Sequence, residues 1–493
     1  MKRFLVILSI LVAVGIRFYY FWYPLGRSSE ITVDEAVYGV QALQIMKGEH
    51  PVFYPAQDYT GSFSAYLSSF VFRIFGVSSW GLKAIPFVFS LLTIFLIYKL
   101  SLEALGKRVA LLSLLVSSLG TPFWNNWSSR AGTGYVEATF LGLVLMILSL
   151  RMVKMNGQIP KILFLVYGLT SGLGFWIQPT IVYFFMPSFV YLVFNLKKRL
   201  LFWPLVFIIF GFFLGAIPVV YHNLFVRPGG TSTALFKKPW GVRGAAVKLI
   251  TQGFPVLLGG RTANSLTDFN SYTSFFLYIL FVLSLIYFVV KTLKGFSISR
   301  PETLITLTFF STVLIFLTST PFNQLAIEPR YVYSLYGPIP IILGLFISKV
   351  WRITRTGSVL ILLVYLVAFV LGLVRAGPLS FLDDYSFVNL VSFMREKGIN
   401  YTMTTPSLGH RLMFFSKGEV RARVIGGGIT EARFEEINLE VGKVGDSDPR
   451  LVAFVALFGE SQNENFAETA QQRFGPRFNQ SLVDNRFKLY FYQ

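Results

Sequence analysis

Apolar runs long enough to cross a membrane dominate the first 375 residues of the chain. A helix of roughly 20 apolar residues spans a bilayer, and eleven runs approach that length. They are residues 4–23, 82–102, 109–125, 134–152, 162–177, 179–196, 201–226, 273–293, 303–320, 333–350 and 357–375. Because proline interrupts a helix, we divide the run 162–196 at Gln178-Pro179. The pattern predicts a polytopic α-helical membrane protein with about 11 transmembrane helices.

The charge of the chain fits a membrane protein better than one that binds nucleic acid. Of its 493 residues, 54% are hydrophobic and 14% are charged, and the formal net charge is +20. Every second short loop is basic, which by the positive-inside rule places the N-terminus in the cytoplasm. The region after residue 375 is then extracytoplasmic, in a protein of the plasma membrane. We therefore expect membrane lipids as partners, and no nucleic acid.

Two further expectations concern the side chain of Arg17 and the binding of metal ions. Arg17 lies in the outer half of the first apolar run, and we expect its side chain to snorkel toward the membrane interface. The chain has no cysteine, and its three histidines share no spacing typical of metal ligands. No cofactor is predicted to be required; a divalent metal is compatible with the sequence but not indicated by it.

The C-terminal region, residues 376–493, has the composition of a soluble domain. It holds 13 basic and 14 acidic residues. Helical patterns near 384–397, 407–416 and 462–474 alternate with β-rich runs near 400–405, 420–425, 451–458 and 486–492. This alternation predicts a small α/β domain. Gly426-Gly427-Gly428 lacks the spacing of a phosphate-binding loop, so we interpret it as a turn.

The outer loop 24–81 predicts two short helices. Thr32-Val33-Asp34-Glu35 has the pattern of a capping box, in which Thr32 and Glu35 cap the helix reciprocally. The helix is expected to run to about Lys47 and to end at Gly48. A second helix is expected over about 62–75. We expect both to be interfacial helices on the outer membrane surface.

The other long outer loop, 227–272, carries six basic residues and one acid. Two interpretations remain open. Long loops are translocated largely regardless of charge, so the excess of cations has no required function. Alternatively, the cations form an anion site for phosphate or lipid headgroups.

Polar residues at the outer ends of the spans are the candidates for chemistry. Asp34 begins a helix in the loop where acids are most frequent, and it is the candidate general base. Its structural alternative is complementation of the helix dipole, and capping is favoured for Glu35. Tyr38 lies one turn after Asp34 on the same face.

Each of the other candidates also has a structural alternative. Glu137 at the membrane edge is a functional candidate, but it also suits the first turn of a helix, where Arg130 pairs with it. His222 suits interfacial hydrogen bonding better than metal binding. Arg330 binds a lipid phosphate or snorkels from an aromatic belt.

These motifs resemble those of the GT-C glycosyltransferases, in particular the protein O-mannosyltransferase and aminoarabinose transferase types. The resemblance covers residues 1–375, and the C-terminal region only by position. The residues that carry it are Asp34-Glu35 with Tyr38, Gly48-x-x-Pro51, the segment Pro51 to Ser62, Phe75-Gly76, Gly134-Tyr135-x-Glu137, Gly174 to Pro179, Pro218-x-x-Tyr221-x-Asn223 and Pro329-Arg330-Tyr331.

The resemblance implies an inverting transferase that takes a sugar from a polyprenyl-phosphate donor. Asp34 would be the base, and Arg330 would hold the lipid phosphate. Further residues would bind the sugar or the acceptor, which is a lipid, a glycan or a protein. This binding set is Glu35, Tyr38, Asp58, Tyr59, Arg130, Tyr135, Glu137, Gln178, His222, Asn223, Glu328 and Tyr331. The paired tryptophans before Asp-Tyr-Gly that mark oligosaccharyltransferases are missing, so no oligosaccharide donor is predicted.

Two other functions remain as alternatives. A transporter or flippase of a lipid-linked substrate usually has acids or histidines at the middle of its spans, and the eleven runs have no strongly charged residue there. A non-catalytic scaffold would act through its C-terminal region. The cluster of acids in the first outer loop disfavours a scaffold.

Overall fold

The structure is a computed structural model that describes most of the chain. The described residues are 2–23, 31–132, 134–155, 159–196, 202–230, 242–260, 271–294, 297–318, 329–375, 384–426, 433–459 and 462–492. They divide into two compact units. The first unit comprises Met1–Arg27, Tyr59–Gly61 and Pro86–Leu379, and the second comprises Ser28–Asp58, Ser62–Ile85 and Ser380–Gln493. Most of the first outer loop thus belongs to the same unit as the C-terminal region. The predicted boundary between domains 1–375 and 376–493 stays a prediction.

The described α-helices follow in chain order. They are α1 (Lys2–Trp22), α2 (Val33–Met46), α3 (Phe63–Phe75), α4 (Ser79–Leu105), α5 (Lys107–Leu119), α6 (Pro122–Trp127), α7 (Tyr135–Lys154), α8 (Lys161–Ile177), α9 (Val182–Leu196), α10 (Trp203–Gly215), α11 (Ile217–Tyr221), α12 (Val242–Lys248), α13 (Phe254–Leu257), α14 (Ser271–Lys294), α15 (Pro301–Thr318), α16 (Ile339–Ile353), α17 (Arg355–Arg375), α18 (Tyr385–Glu396), α19 (Gly409–Phe415), α20 (Glu435–Ser447) and α21 (Gln462–Phe474).

Each of the eleven apolar runs coincides with one or more of these helices. Within the described ranges, six helices are long and apolar enough to cross a membrane, and the number is up to eight if each of two bent pairs is one span. The bent pairs are Trp203–Gly215 with Ile217–Val226, and Pro329–Tyr336 with Ile339–Ile353. The remaining runs lie on the short helices α5 and α8 and on α17, of which the segment Arg355–Leu371 is apolar. The chain is therefore an integral membrane protein, as predicted.

Helix α8 ends just before a proline, where the sequence predicts. Helix α8 ends at Ile177, Gln178 is extended with φ −160°, and a short 3-10 turn, Pro179–Ile181, leads into α9. The division of the run 162–196 is thus confirmed.

Arg17 does not snorkel, which corrects the expectation from the sequence. Its side chain is fully buried in the first unit. Its guanidinium donates to the backbone oxygens of Ser117 at 2.8 Å and Ser118 at 2.5 Å, and lies 5.3 Å from the ring centroid of Trp124. The last carbonyl groups of a helix have no intrahelical partner, and cations near them are favourable. Arg17 therefore caps the C-terminus of α5 from inside the unit.

Close helix packing in the first unit depends on glycine. A Cβ atom on Gly168 would lie 2.1 Å from the backbone oxygen of Ile208, and one on Gly172 would lie 2.0 Å from that of Phe212. Helices α8 and α10 therefore approach backbone to backbone, as small residues allow in membrane proteins.

The C-terminal part of the second unit contains a five-stranded mixed sheet. The described strands of the chain are β1 (Phe53–Tyr54), β2 (Gln57–Gly61), β3 (Tyr401–Thr404), β4 (Arg421–Val424), β5 (Val452–Leu457), β6 (Phe478–Val483) and β7 (Phe487–Tyr492). The sheet has the order β4-β3-β5-β7-β6. Strand β3 is parallel to β4 and β5, whereas β7 is antiparallel to β5 and β6.

The predicted α/β character of this region is confirmed. Alternate residues of β5 enter two separate hydrophobic clusters, with Ala453 and Val455 in one and Val452 and Phe454 in the other. The helices and strands expected in this region are all present, whereas α20 and β6 were not predicted. Gly426 has φ +80°, but Gly427 and Gly428 lie outside the described residues.

The capping box that begins α2 forms as predicted. The hydroxyl of Thr32 accepts from the backbone N–H of Glu35 at 3.3 Å, and the carboxylate of Glu35 accepts from that of Thr32 at 2.8 Å. Residues on every side of α2 are buried, so it is a core helix of the second unit. One neighbour is the C-terminal region, because a Cβ atom on Gly39 would lie 2.3 Å from the ring of Phe414.

Helix α3 is more exposed. Phe70, Ile74 and Phe75 present a solvent-accessible apolar face. This face fits the predicted position on the membrane surface, which stays a prediction.

Candidate functional site

Asp34 is held by two donors in the second unit. It is the second residue of α2, and its side chain is 30% exposed. The Nη1 atom of Arg433 and the hydroxyl of Tyr54 both donate to its Oδ1 atom at 3.1 Å. Hydrogen bonds from a guanidinium and a hydroxyl favour the charged form of a carboxyl. Asp34 is thus an accessible carboxylate that is fixed in orientation.

Two aromatic rings pack beside this ion pair. The guanidinium of Arg433 lies 4.9 Å from the ring centroid of Tyr54, and the ring of Tyr54 lies 4.7 Å from that of Tyr38. Burial, together with the charge of Asp34, raises the pKa of Tyr54 well above its usual value. Tyr54 therefore remains a donor at physiological pH. Tyr38 is buried and contributes to the site by packing against Tyr54.

The backbone around Arg433 is also fixed. Its carbonyl oxygen accepts from the side-chain amide of Asn438 at 3.1 Å, and the Oδ1 atom of Asn438 accepts from the backbone N–H of Val424 at 3.2 Å. Val424 is the last residue of β4, so the edge of the sheet positions Arg433. Reasoning from the sequence did not single out Arg433, which lies 399 positions after Asp34.

His410 lies within electrostatic reach of Arg433 in the second unit and is fully buried. Its ring centroid lies 5.7 Å from that of Phe434, and neither ring nitrogen has a hydrogen-bond partner in the part of the chain that the structure describes. Burial, and then the positive charge of Arg433, lower the pKa of His410 to about 3, against the opposing effect of Asp34. The imidazole is therefore neutral and adds no second cation to the site.

We expect His410 to make the second unit sensitive to acid. The unfolded chain binds a proton below about pH 6.5, whereas the folded chain does so only near pH 3. The contribution of His410 to the free energy of unfolding is therefore fully present above pH 6.5, and it is lost as the pH falls toward 3. By linkage the loss is about 2 kcal/mol between pH 7 and pH 5. Thermal unfolding at each pH measures it. His410→Gln should flatten the dependence, and His50→Gln, at an exposed position of the same unit, should not. Equal slopes for both variants would contradict the prediction.

Glu35 is engaged in structural contacts. Its Oε1 atom lies 3.0 Å from the Nζ atom of Lys83, and both side chains are almost completely buried, at 1% and 3% exposure. Its Oε2 atom belongs to the capping box with Thr32. This arrangement favours the structural alternative for Glu35 over the binding role implied by the resemblance. Lys83 was not predicted as a partner. Asp58, also in the second unit, lies half-buried on β2.

A second group of predicted residues comes together around Tyr135 in the first unit. The ring of Tyr135 meets those of Trp127 and Tyr331 edge to face, at 5.9 and 5.8 Å between centroids. Arg330 and Tyr59 lie within electrostatic reach of its hydroxyl.

Two arginines line this aromatic cluster. The guanidinium of Arg130 lies 4.9 Å from the ring centroid of Trp127, and that of Arg330 lies 5.3 Å from the ring centroid of Tyr331. Both arginine side chains are partly exposed. Cations on aromatic rings at a partly exposed site suit an anion such as phosphate.

Two glycines bring further predicted residues to the ends of α7 and α8. A Cβ atom on Gly134 would lie 3.4 Å from the Cβ atom of Gln178, and one on Gly61 would lie 2.3 Å from the backbone oxygen of Trp176. Gln178 is therefore buried beside the first turn of α7. Glu137, the third residue of α7, is also buried and interacts electrostatically with Tyr333.

The remaining predicted residues are less closely defined. His222 and Asn223 begin a π-helical segment, His222–Val226, and both are half-buried. The side-chain amide of Asn223 donates to the backbone oxygen of Val219 at 2.8 Å. Glu328 lies outside the described residues, as do Lys237, Lys238 and Arg261 of the loop 227–272. Within the described ranges, no group of three or more His, Asp and Glu side chains is arranged to hold a metal ion.

Part of the chain is similar to a known protein family. The family model described as dolichyl-phosphate-mannose-protein mannosyltransferase matches residues 61–222. That range includes Arg130, Tyr135, Glu137 and Gln178, but neither Asp34 nor Arg330. No curated protein sequence matches the chain.

Several solved structures resemble the whole chain, and ArnT and AglB are two of them. ArnT from Cupriavidus metallidurans, bound to undecaprenyl phosphate, is 11% identical with a TM-score of 0.66, over 98% of this chain and 97% of that one. The oligosaccharyltransferase AglB from Archaeoglobus fulgidus, in complex with an inhibitory peptide and a dolichol-phosphate, is 12% identical with a TM-score of 0.57, over 100% of this chain and 74% of that one. The predicted GT-C fold is thus confirmed.

Proposed function

We propose that this chain, an integral membrane protein with the GT-C fold, is an inverting glycosyltransferase that uses a polyprenyl-phosphate sugar as its donor. The observation that carries the proposal is the accessible carboxylate of Asp34, which Arg433 and Tyr54 hold in one orientation. A fixed carboxylate at the start of a helix suits a general base. ArnT and AglB, which share the fold, were solved with polyprenyl phosphates bound.

The proposed reaction is one displacement. Asp34 takes the proton of the acceptor hydroxyl, and the hydroxyl oxygen forms a bond to the anomeric carbon. The bond between that carbon and the phosphate oxygen breaks, and the lipid phosphate leaves with the electron pair. Arg330, on the ring of Tyr331, stabilises the charge that develops on the phosphate. The configuration of the sugar is inverted because only one displacement occurs.

The remaining residues have proposed binding roles. Tyr135, Tyr59 and Tyr331 provide aromatic surfaces for the sugar or the lipid phosphate, and Arg130 provides a second cation. The polar side chains proposed to bind sugar or acceptor are Asp58, Glu137, Gln178, His222, Asn223 and Glu328. The acceptor is a lipid, a glycan or a protein, and the sugar is a hexose or a pentose.

The proposed location of the reaction follows from the charges of the loops. The positive-inside rule puts the N-terminus in the cytoplasm and the C-terminal domain outside the plasma membrane. The transfer then takes place on the outer face.

We expect the purified protein to cleave the sugar–phosphate bond of its donor. Proteoliposomes would contain radiolabelled polyprenyl-phosphate hexose or, in parallel, polyprenyl-phosphate pentose, and a cell-envelope extract would supply the acceptor. A transferase releases free polyprenyl phosphate and moves the label to the extract. A flippase moves the intact lipid between leaflets without cleavage. Leaflet exchange without any cleavage of either donor would therefore overturn the proposal.

A further inference from the structure

Arg433 belongs to the C-terminal domain (residues 384–492), whereas Asp34 belongs to the first outer loop. Their ion pair at 3.1 Å therefore joins a candidate base to a domain with no other predicted role in the reaction. Only 7% of the Arg433 side chain is exposed. Removal of a charge from water is costly unless the charge is paired. The contact is thus a partly buried ion pair within the second unit and not an incidental ion pair on its surface.

The position of Arg433 is fixed from several directions. Asn438 holds its backbone beside the end of β4, and the ring of Tyr54 packs against its guanidinium. His410, within electrostatic reach of both Arg433 and Asp34, is neutral and adds no positive charge of its own. Such a guanidinium restricts the carboxylate to one orientation, because its hydrogen bond and its stacking on the ring both have defined geometry.

We propose that Arg433 is a positioning residue for Asp34, and that the C-terminal domain is therefore part of the active centre and more than a cover over it. The inference rests on the proposed function, since it requires Asp34 to be the base. Arg433 acts in two ways. It keeps Asp34 ionised, and so ready to take a proton, down to lower pH. It also fixes the direction in which the carboxylate points, together with Tyr54.

The consequence is a specific pH dependence. Loss of a neighbouring cation makes a carboxyl easier to protonate. Without Arg433, the acidic limb of the pH–activity profile should move upward by roughly one pH unit. Misorientation of the base should also lower kcat by about tenfold, since small displacements of catalytic groups are costly. The KM for the lipid donor should change less than about twofold, because uniform binding is unaffected.

The test compares Arg433→Met and Arg433→Lys with the matched control Arg395→Met. Arg395 pairs with Glu419 at 2.7 Å on the exposed surface of the same domain, so its loss should change neither kcat nor the profile. The lysine variant keeps a charge near Asp34 and should shift the acidic limb less than the methionine variant. It also serves as the folded variant if Arg433→Met does not fold. The readout is cleavage, at each pH and with the cell-envelope extract present, of whichever labelled donor the wild type cleaves, polyprenyl-phosphate hexose or polyprenyl-phosphate pentose. The melting temperature is recorded for every variant.

Two results would overturn the inference. One is an unchanged acidic limb in folded Arg433 variants, and the other is a rise in donor KM without a pH shift. Asp34→Asn separates these failures from failure of the proposed function. If Asp34→Asn is inactive while the Arg433 variants behave like the wild type, the base is correct and the positioning role is wrong. If Asp34→Asn is fully active, the proposed base itself is wrong.

Discussion

Replacement of Asp34 by asparagine is expected to lower sugar transfer by about 10²- to 10⁴-fold, the range that a positioned general base contributes. Asparagine has nearly the same shape as aspartate, and its carbonyl oxygen can still accept from Arg433 and Tyr54. It cannot take the proton of the acceptor hydroxyl. The measurement is the initial rate of transfer in proteoliposomes, with binding of the lipid donor measured in parallel. Binding should be preserved, since the lost interaction belongs to the transition state.

The control for this variant is Asp446→Asn, an exposed position on α20 in the same unit, which should transfer sugar like the wild type. Asp34→Asn also leaves the guanidinium of Arg433 without its anion, so the melting temperature must be compared as well. Asp34→Glu keeps a carboxylate and should retain more activity than the asparagine variant. Undiminished transfer by folded Asp34→Asn would exclude Asp34 as the base.

Most of the fold could be predicted because it depends on local sequence patterns. Helix α2, with its capping box, and the division of the run 162–196 at Pro179 both depend on contacts within a few residues. The two elements of the C-terminal region that were missed lack such signals. Helix α20 contains Gly442 and Gly445, which weaken helix propensity, and β6 is an edge strand of mixed polarity. Both form because the sheet offers them a surface to pack on.

The candidate site was only partly predictable, because its contacts are distant in sequence. Asp34 was identified from its own loop, yet its partner Arg433 is one of 13 basic residues after residue 375, and nothing near it in sequence marks it. Arg17 shows the same limit. Its position in an apolar helix predicted an interfacial side chain, whereas the carbonyl groups at the end of α5, 100 residues away, bind it inside the unit.

Substitution of Glu35 distinguishes a structural role in the ion pair with Lys83 from a role in substrate binding. If its contact with Lys83 is structural, Glu35→Gln should lower the free energy of unfolding by about 3–5 kcal/mol, because it leaves a buried ammonium group unpaired. Glutamine can still complete a capping box, so the loss reports the ion pair and not the cap. Lys83→Met should be similarly destabilising. The double variant should recover most of the stability, since a buried pair replaced as a whole costs little. Thermal unfolding of all three variants measures these effects.

The exposed pair Arg395–Glu419 supplies the comparison, because surface ion pairs contribute about 0–1 kcal/mol. Glu419→Gln should therefore change the melting temperature little. The binding role implied by family resemblance predicts a different pattern for Glu35→Gln: an unchanged melting temperature and a raised KM for donor or acceptor. A carboxylate with 1% exposure, one oxygen on Lys83 and the other on the backbone of Thr32, has its hydrogen-bonding capacity directed into the protein. We therefore expect loss of stability, and loss of activity only to the extent that α2 no longer presents Asp34.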